Sequence, residues 1–223
     1  MMKIQVWSDF RCPFCYIGHQ NLEKAIAQSS KDVEIEIMSY ELAPDIQPQR
    51  DQSYVEQLAG NIGLSVSQAQ LRLSQIDMMA KKAGLNYDFN NMIDANSFKI
   101  HRVFQMAKQL GKGNEFFKVG MAAHFTHGLD IADEQTLIDL ALQVGMSEED
   151  TKKALQSDEI AYQVRTDEAT ARNIGVQGVP HFVLDDKVFV SGAQPVESFI
   201  EAIEYVESLS SNLACSDESC IVP

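Results

Sequence analysis

The sequence predicts an α/β protein in which a helical block interrupts one sheet-bearing domain. Three observations carry this. Strand, helix and strand patterns follow one another over residues 1–45; helical patterns alone fill residues 46–157; and a helix, two short strands and a last helix occupy residues 158–209. The two outer pieces must meet in space to complete one sheet domain around an all-helical insertion.

The stretch "KIQVWS" places Ile4 and Val6 on one face of a short strand, and "DVEIEIMSY" alternates Val33, Ile35 and Ile37 with acidic residues along a longer one. Between them Phe14, Ile17, Leu22, Ala25 and Ile26 recur at helical spacing, from a first turn at "CPFC" to a stop at "QSS". Such a unit is a parallel crossover with a right-handed preference. The prolines of "ELAPDIQPQR" read as a loop. Beyond it, Ser67 and Gln70 form a capping box ahead of "AQLRLSQIDMMAKKAG", a helix that Gly84 closes. Ile100, Val103, Phe104, Ala107 and Leu110 share one face of "SFKIHRVFQMAKQLGKG". More helices follow at "NEFFKVGMAAHFTHG", "EQTLIDLALQVG", "SEEDTKKALQS" and "IAYQVRTDEATARNIG", with Glu148, Glu149 and Asp150 where a helix dipole favours negative charge. "HFVL" and "KVFVS" flank "DD" as a hairpin, "VESFIEAIEYVESLS" is a terminal helix, and residues 210–223 form a polar tail with a C-x4-C pair.

A chain of 223 residues with 45% hydrophobic content builds an ordinary core without staples. Its formal net charge of -14 repels phosphate backbones and anionic lipid surfaces, so neither nucleic acid nor membrane is an expected partner. No apolar run is long enough to span a bilayer, and Asp9 and Arg11 arrive before any signal-peptide core develops. The expected location is the cytoplasm. Thiols there are held reduced, which turns attention from structural disulfides to catalysis or metal. Nothing in the sequence indicates an oligomeric state.

Cys12 and Cys15, in "SDFRCPFCYIGH", stand where a strand hands over to a helix. At the N-cap, the Cys12 sulfur would face the unpaired N–H groups of the first turn, which stabilise a thiolate; Pro13 suits the first helical position, and Cys15 lies one turn behind. Only thiolate attacks a disulfide, so the arrangement favours redox chemistry, with Cys12 exposed at the helix end. A structural disulfide, or a zinc site completed by Cys215 and Cys220, remains open on spacing alone; Pro13 and the strand-to-helix setting suit a redox turn better. In "GVQGVPHFVL", Pro180 immediately precedes the returning strand, where a cis bond would leave the Val179 backbone free for an extended peptide. His101 lies on a long helix, His124 and His127 sit three apart without a third ligand at motif spacing, and His181 and Trp7 read as packing, so no metal site is expected. The methionines, Met78, Met79, Met106 and Met121 among them, read mostly as core.

Taken together, "CPFC", "GVP" and the helical insertion resemble the DsbA-like branch of the thioredoxin superfamily, over nearly the whole chain. More narrowly, "NSFKIHRVFQMAKQLGKG", "FTHGLDIAD" and "VSGAQP" resemble FrnE-like cytoplasmic DsbA-family oxidoreductases. The resemblance implies a thioredoxin-like fold and a thiol-disulfide oxidoreductase of the protein disulfide oxidoreductase/isomerase type, whether it works as oxidase, reductase or isomerase. Cys12 would be the nucleophile and Cys15 the resolving thiol, with Pro13, Phe14, Val179 and a cis Pro180 contacting substrate. It implies no cofactor beyond the redox-active disulfide itself. Expected partners are protein or small-molecule thiols and disulfides and a cellular thiol reductant, glutathione included, which Ser191 and Gly192 could help hold. Phe14 stands where DsbA carries a histidine, which implies a milder oxidant. The insertion is shared with kappa-class glutathione transferases and 2-hydroxychromene-2-carboxylate isomerases, which carry Ser at the nucleophile position; glutathione-dependent isomerase or transferase chemistry is thus an alternative, as is a redox-linked holdase. Cys215 and Cys220 are expected to form an accessory redox pair that exchanges with Cys12 and Cys15.

Overall fold

The computed structural model describes residues 1–48 and 51–214. In chain order the elements are β1 (Met2–Ser8), α1 (Pro13–Ser29), β2 (Val33–Ser39), α2 (Tyr54–Ile62), α3 (Val66–Ala83), α4 (Phe98–Gln109), α5 (Gly113–Phe125), α6 (Glu134–Gln143), α7 (Glu148–Gln156), α8 (Asp158–Asn173), β3 (His181–Leu184), β4 (Val188–Ser191) and α9 (Val196–Ala214). The four strands form one mixed sheet in the order β2-β1-β3-β4. β1 and β2 are parallel, pairing Ile4 with Ile35 and Val6 with Ile37. β3 runs antiparallel to β1, with Trp7 opposite His181. That register places the residues leaving β1 beside those entering β3, so two segments far apart in sequence share one end of the sheet. The β3–β4 hairpin turns through Asp185 and Asp186, both at positive φ (47° and 55°), a conformation that Asp tolerates.

Three sequence expectations are corrected. The capping box of α3 is built from Ser65 and Gln68, not Ser67 and Gln70. Leu110 is 44% exposed because α4 ends at Gln109, one residue before it can join the buried face. α9 runs on to Ala214, so the segment expected to be tail from residue 210 begins as helix. Cys215 and Cys220 lie outside the described residues. The helix α2 was not read from the sequence, although its own capping box joins Ser53 and Glu56.

One apolar cluster joins the sheet to α1 and α9 through Ile4, Val6, Leu22, Phe182, Phe199 and Ile203. A second gathers Phe10, Cys12 and Cys15 with Ile100, Phe104 and Phe117 of the helical insertion. The opposite sheet face packs Trp7, Met38 and Val183 against Ala171 of α8. No helix among the described residues is long and apolar enough to cross a membrane.

Candidate active site

β1 ends at Ser8, and a four-residue turn delivers Cys12 to the N-cap of α1, where its backbone is extended and Pro13 opens the helix. The turn is closed by the Cys12 N–H donating to the Asp9 carbonyl at 3.0 Å and the Cys15 N–H donating to the Cys12 carbonyl at 3.0 Å. Tyr87 Oη donates to the Pro13 carbonyl at 2.7 Å, which ties the first turn to the insertion. From the other side, the Val179–Pro180 bond is cis and the Val179 carbonyl accepts a hydrogen bond from the Cys12 thiol at 3.4 Å. Pro180 reaches this position because α1 carries Gly18 there: a Cβ would lie 3.2 Å from Pro180 Cγ and 3.0 Å from Phe182 Cζ. Cys12, Cys15, Val179 and Pro180 therefore meet, although residue 12 and residue 179 are far apart in the chain.

Two features of Cys12 differ from expectation. The residue is only 3% exposed, because Phe14 and the insertion close over it. Its sulfur also makes no capping hydrogen bond to the N–H groups of α1; it turns to Val179 instead. Cys15 is wholly buried. Its thiol is pushed well above the ordinary range, first by burial and then by its hydrogen bond to the Cys12 sulfur. No disulfide joins Cys12 and Cys15 in this structure.

A cavity of about 630 Å³ opens beside Cys12, a size that takes a small molecule or a peptide segment. Arg11, Cys12, Pro13 and Phe14 line one side, and Tyr54 of α2 and Leu73 of α3 line another. Pro13 and Phe14 thus border the same space, whereas Val179, which the Cys12 thiol meets at 3.4 Å, and Pro180 are not among the residues that line it. Arg11 holds Asp94 at 2.6 Å, a nearly buried ion pair at the cavity edge.

Behind the dithiol lies a polar group that the sequence did not disclose. The Asp9 N–H donates to Cys15 Sγ at 3.5 Å, while its carboxylate accepts from the N–H groups of Leu42 (2.7 Å) and Arg11 (3.1 Å). His101 Nε2 stands 3.4 Å from Asp9 Oδ1, a charge contact longer than a well-formed hydrogen bond. Burial works to raise the Asp9 carboxyl, but His101 and the two N–H donors outweigh it and hold Asp9 below its ordinary value. His124, also buried, is lowered to about 4, chiefly by burial. His181 shares a 3.0 Å contact with Ser191 Oγ through Nδ1. No group of three or more His, Cys, Asp or Glu side chains suited to a metal occurs among the described residues. Asp9 carried one sequence signal, its place three residues before Cys12; the partnership with His101 carried none.

Residues 3–204 match the DSBA-like thioredoxin domain family. The uncharacterized YwbO protein of Bacillus subtilis is 31% identical over 206 residues, which cover 91% of this chain and 96% of that one. The solved structure of a "probable DsbA oxidoreductase" of Streptomyces coelicolor superposes with a TM-score of 0.84 at 30% identity, over 100% of this chain and 94% of the other. The cytosolic disulfide reductase DsbM of Pseudomonas aeruginosa, solved with GSH, shares the fold alone: TM-score 0.63, 14% identity, 95% and 99% of the two chains. With nearly its whole length accounted for in this way, the chain belongs to the DSBA-like thioredoxin domain family.

Proposed function

We propose that the protein is a thiol-disulfide oxidoreductase that works through the Cys12-Pro13-Phe14-Cys15 dithiol. The observation that carries the reading is the meeting of Cys12, at a helix N-terminus and hydrogen-bonded to Val179, with a wholly buried thiol one turn behind it. The Cys12 thiolate attacks one sulfur of a substrate disulfide, forming a mixed disulfide and expelling the other sulfur as a thiolate, which takes up a proton. Cys15 then loses its proton and attacks Cys12 Sγ. The Cys12–Cys15 disulfide forms, the remaining substrate thiolate leaves and is protonated, and two electrons have passed to the substrate. Run backwards, the same steps oxidise substrate thiols. Pro13 and Phe14 touch the substrate from the cavity, and Val179 and Pro180 from beside the sulfur, where the Val179 N–H makes no hydrogen bond among the described residues.

In this reading residues 1–45 and 158–209 are the thioredoxin-like part, residues 46–157 the insertion, and the chain is a FrnE-like, cytoplasmic member of the family. Its cofactor is its own disulfide. Its partners are thiol or disulfide substrates and a cellular thiol reductant, with glutathione as one candidate for either role. The cavity beside Cys12 favours a second reading, glutathione-dependent chemistry on a small substrate with Cys12 as a lone thiolate.

Two variants separate these. Cys12→Ser is expected to abolish disulfide exchange, and Cys15→Ser to retain attack while accumulating mixed disulfides, read by mass spectrometry. Full exchange by Cys12→Ser removes the oxidoreductase assignment; full turnover by Cys15→Ser favours the lone thiolate.

A further inference from the structure

We propose that Tyr54, the first residue of α2, hydrogen-bonds through its phenolic O–H to the substrate sulfur that leaves when Cys12 attacks a disulfide. The inference rests on the dithiol reading above and adds the group that meets the departing charge.

The chemistry sets where such a group must stand. Cys12 Sγ attacks along the axis of the substrate disulfide, so three sulfurs lie in line and the leaving one ends roughly two sulfur–sulfur bond lengths, about 4–5 Å, from Cys12. A donor that serves it faces Cys12 across an open space and is not spent on Cys12 itself. The cavity beside the dithiol is such a space: Cys12 lines it from the N-cap of α1 and Tyr54 from the start of α2.

The ring of Tyr54 is held in place. It stacks on Phe89 with centroids 6.0 Å apart and 7° between the planes; Phe89 meets Tyr87 edge-on at 5.5 Å, and Tyr87 Oη donates to the Pro13 carbonyl at 2.7 Å. The capping box of Ser53 and Glu56 fixes the backbone at the same point. A row of aromatic side chains thus ties Tyr54 to the turn that presents Cys12.

Its hydroxyl is uncommitted. Tyr54 Oη makes no hydrogen bond among the described residues, yet it is not one of the sealed side-chain atoms left without a partner. Acceptors close by are already engaged: the Val179 carbonyl by the Cys12 thiol, the Pro13 carbonyl by Tyr87, and Asp94 Oδ1 by Arg11 and the Ala95 N–H. Burial, with the Asp94 carboxylate and Cys12 adding to it against Arg11, pushes the Tyr54 phenol well above its ordinary value. It therefore keeps its proton wherever a thiolate forms. A donor without an acceptor borders the reacting space, and the acceptor that the reaction creates there is a thiolate.

As the substrate S–S bond breaks, its electron pair goes to the leaving sulfur, which the Tyr54 O–H meets in a charge-assisted hydrogen bond. The proton stays on Tyr54, whose phenol is a weaker acid than a thiol, and the departed thiolate takes up a proton from water. Tyr54 touches the substrate in this step and is a catalytic residue.

The test uses Tyr54→Phe, which keeps the ring and its stack and removes only the hydroxyl, in the Cys15→Ser protein, where the first step is isolated. Mixed-disulfide formation is followed with two reagents: hydroxyethyl disulfide, whose leaving thiol is a weak acid and needs the donor, and dithiobis(nitrobenzoate), whose aromatic thiolate is stable without one. Tyr54→Phe is expected to slow the first about tenfold and the second less than about twofold. Alkylation of Cys12 by iodoacetamide, in which iodide leaves, should keep its rate and its pH midpoint. Equal slowing with both disulfides, as a merely structural role would give, overturns the proposal. So do unchanged rates with both, and so does a moved alkylation midpoint, which would place the hydroxyl on Cys12 instead. A Cys15→Ser protein that reacts with neither disulfide removes the dithiol reading itself, so the two failures are told apart before Tyr54 is changed.

Discussion

Two apolar clusters meet at α1, and they differ in what they hold besides carbon. The sheet-side cluster of Ile4, Val6, Leu22, Phe182, Phe199 and Ile203 has no titratable member. The insertion-side cluster takes in Cys12 and Cys15 and borders the buried side chains of Asp9, His101 and His124. Both bury large aromatic rings, so both stabilise the fold through the same area and packing terms. Only one of them also sets the electrostatics of the dithiol. The thioredoxin-like part supplies the turn that presents Cys12, while the insertion supplies its surroundings.

The largest expected effects come from emptying each cluster. Phe10→Ala and Phe182→Ala each remove a wholly buried ring and should cost about 3–5 kcal/mol. In a protein of this size that is a fall of roughly 10 °C in melting temperature. Their chemistry should differ. Phe10 packs on His101, Phe104 and Phe116, so its loss should also shift the Cys15 thiolate midpoint, while Phe182→Ala leaves that midpoint unchanged. Equal shifts in the two variants would break the comparison.

A smaller effect is expected where helices touch each cluster through glycine. At Gly120 of α5 a Cβ would stand 2.7 Å from Phe10 Cε1 and 3.0 Å from Ile100 Cδ1. Overpacking there costs about 1–3 kcal/mol, offset in part by the roughly 1 kcal/mol that Ala gains over Gly in a helix. Gly18→Ala meets the buried Phe182 Cζ at 3.0 Å and Pro180 Cγ at 3.2 Å, a smaller overlap than at Gly120, so stability should fall by less while Pro180 shifts against Cys12. Denaturant unfolding reads the first outcome, and the rate of mixed-disulfide formation reads the second.

These positions also mark where sequence reading succeeds and where it stops. Alternation along β1 and β2, the stop at Gly84 and the turn at Asp185 and Asp186 are local patterns, and each was legible because strand, cap and turn preferences act over a few residues. The frame of the α3 cap was ambiguous for a local reason as well: "SVSQAQ" offers two Ser-x-x-Gln spacings two residues apart, and only packing selects Ser65. Within the site, the cysteine pair and Pro180 stand in short recognisable motifs. Asp9 with His101 and Arg11 with Asp94 do not, since each pair joins residues that more than eighty positions separate and no periodicity links them. His101 was read as an ordinary helix residue because its meaning depends on which side chain the fold brings to its ring.

Acid offers a finer probe of the seam between the two regions. Glu23 of α1 meets Lys118 of α5 at 2.5 Å and His19 at 3.6 Å. Burial works to raise this carboxyl, yet His19 and Lys118 together lower it to about 2. A carboxyl depressed in the folded state contributes stability that is present above its ordinary value near 4.5 and is lost as pH falls toward 2. With its partial exposure discounted, that contribution is of the order of 1–2 kcal/mol at neutral pH. Glu23→Gln should therefore lower stability by this amount at neutral pH and become indistinguishable from the parent near the acid end. A deficit that persists in acid would assign the loss to packing rather than charge.

The smallest effect is expected at the C-terminus, where the accessory role anticipated for Cys215 and Cys220 meets a constraint of reach. Asn21 Nδ2 donates to the Gln194 carbonyl at 2.9 Å, just before α9 begins, and Lys31 meets Glu207 at 2.7 Å further along both chains. α9 thus runs parallel to α1, away from Cys12. At about 1.5 Å per residue, α1 carries the chain about 25 Å from the dithiol, and the seven residues from Glu207 to Ala214 add about 10 Å more. Six extended residues beyond Ala214 span at most about 20 Å. The described end of α9 thus lies farther from Cys12 than such a span, and exchange between the two cysteine pairs is expected to join two molecules. Deleting residues 215–223 should leave the melting temperature and the unimolecular resolution of the mixed disulfide unchanged. What the tail adds to recycling of Cys12 should rise in proportion to protein concentration. A contribution that stays constant on dilution would mean that the pairs meet within one chain and that the parallel course of α1 and α9 does not keep them apart.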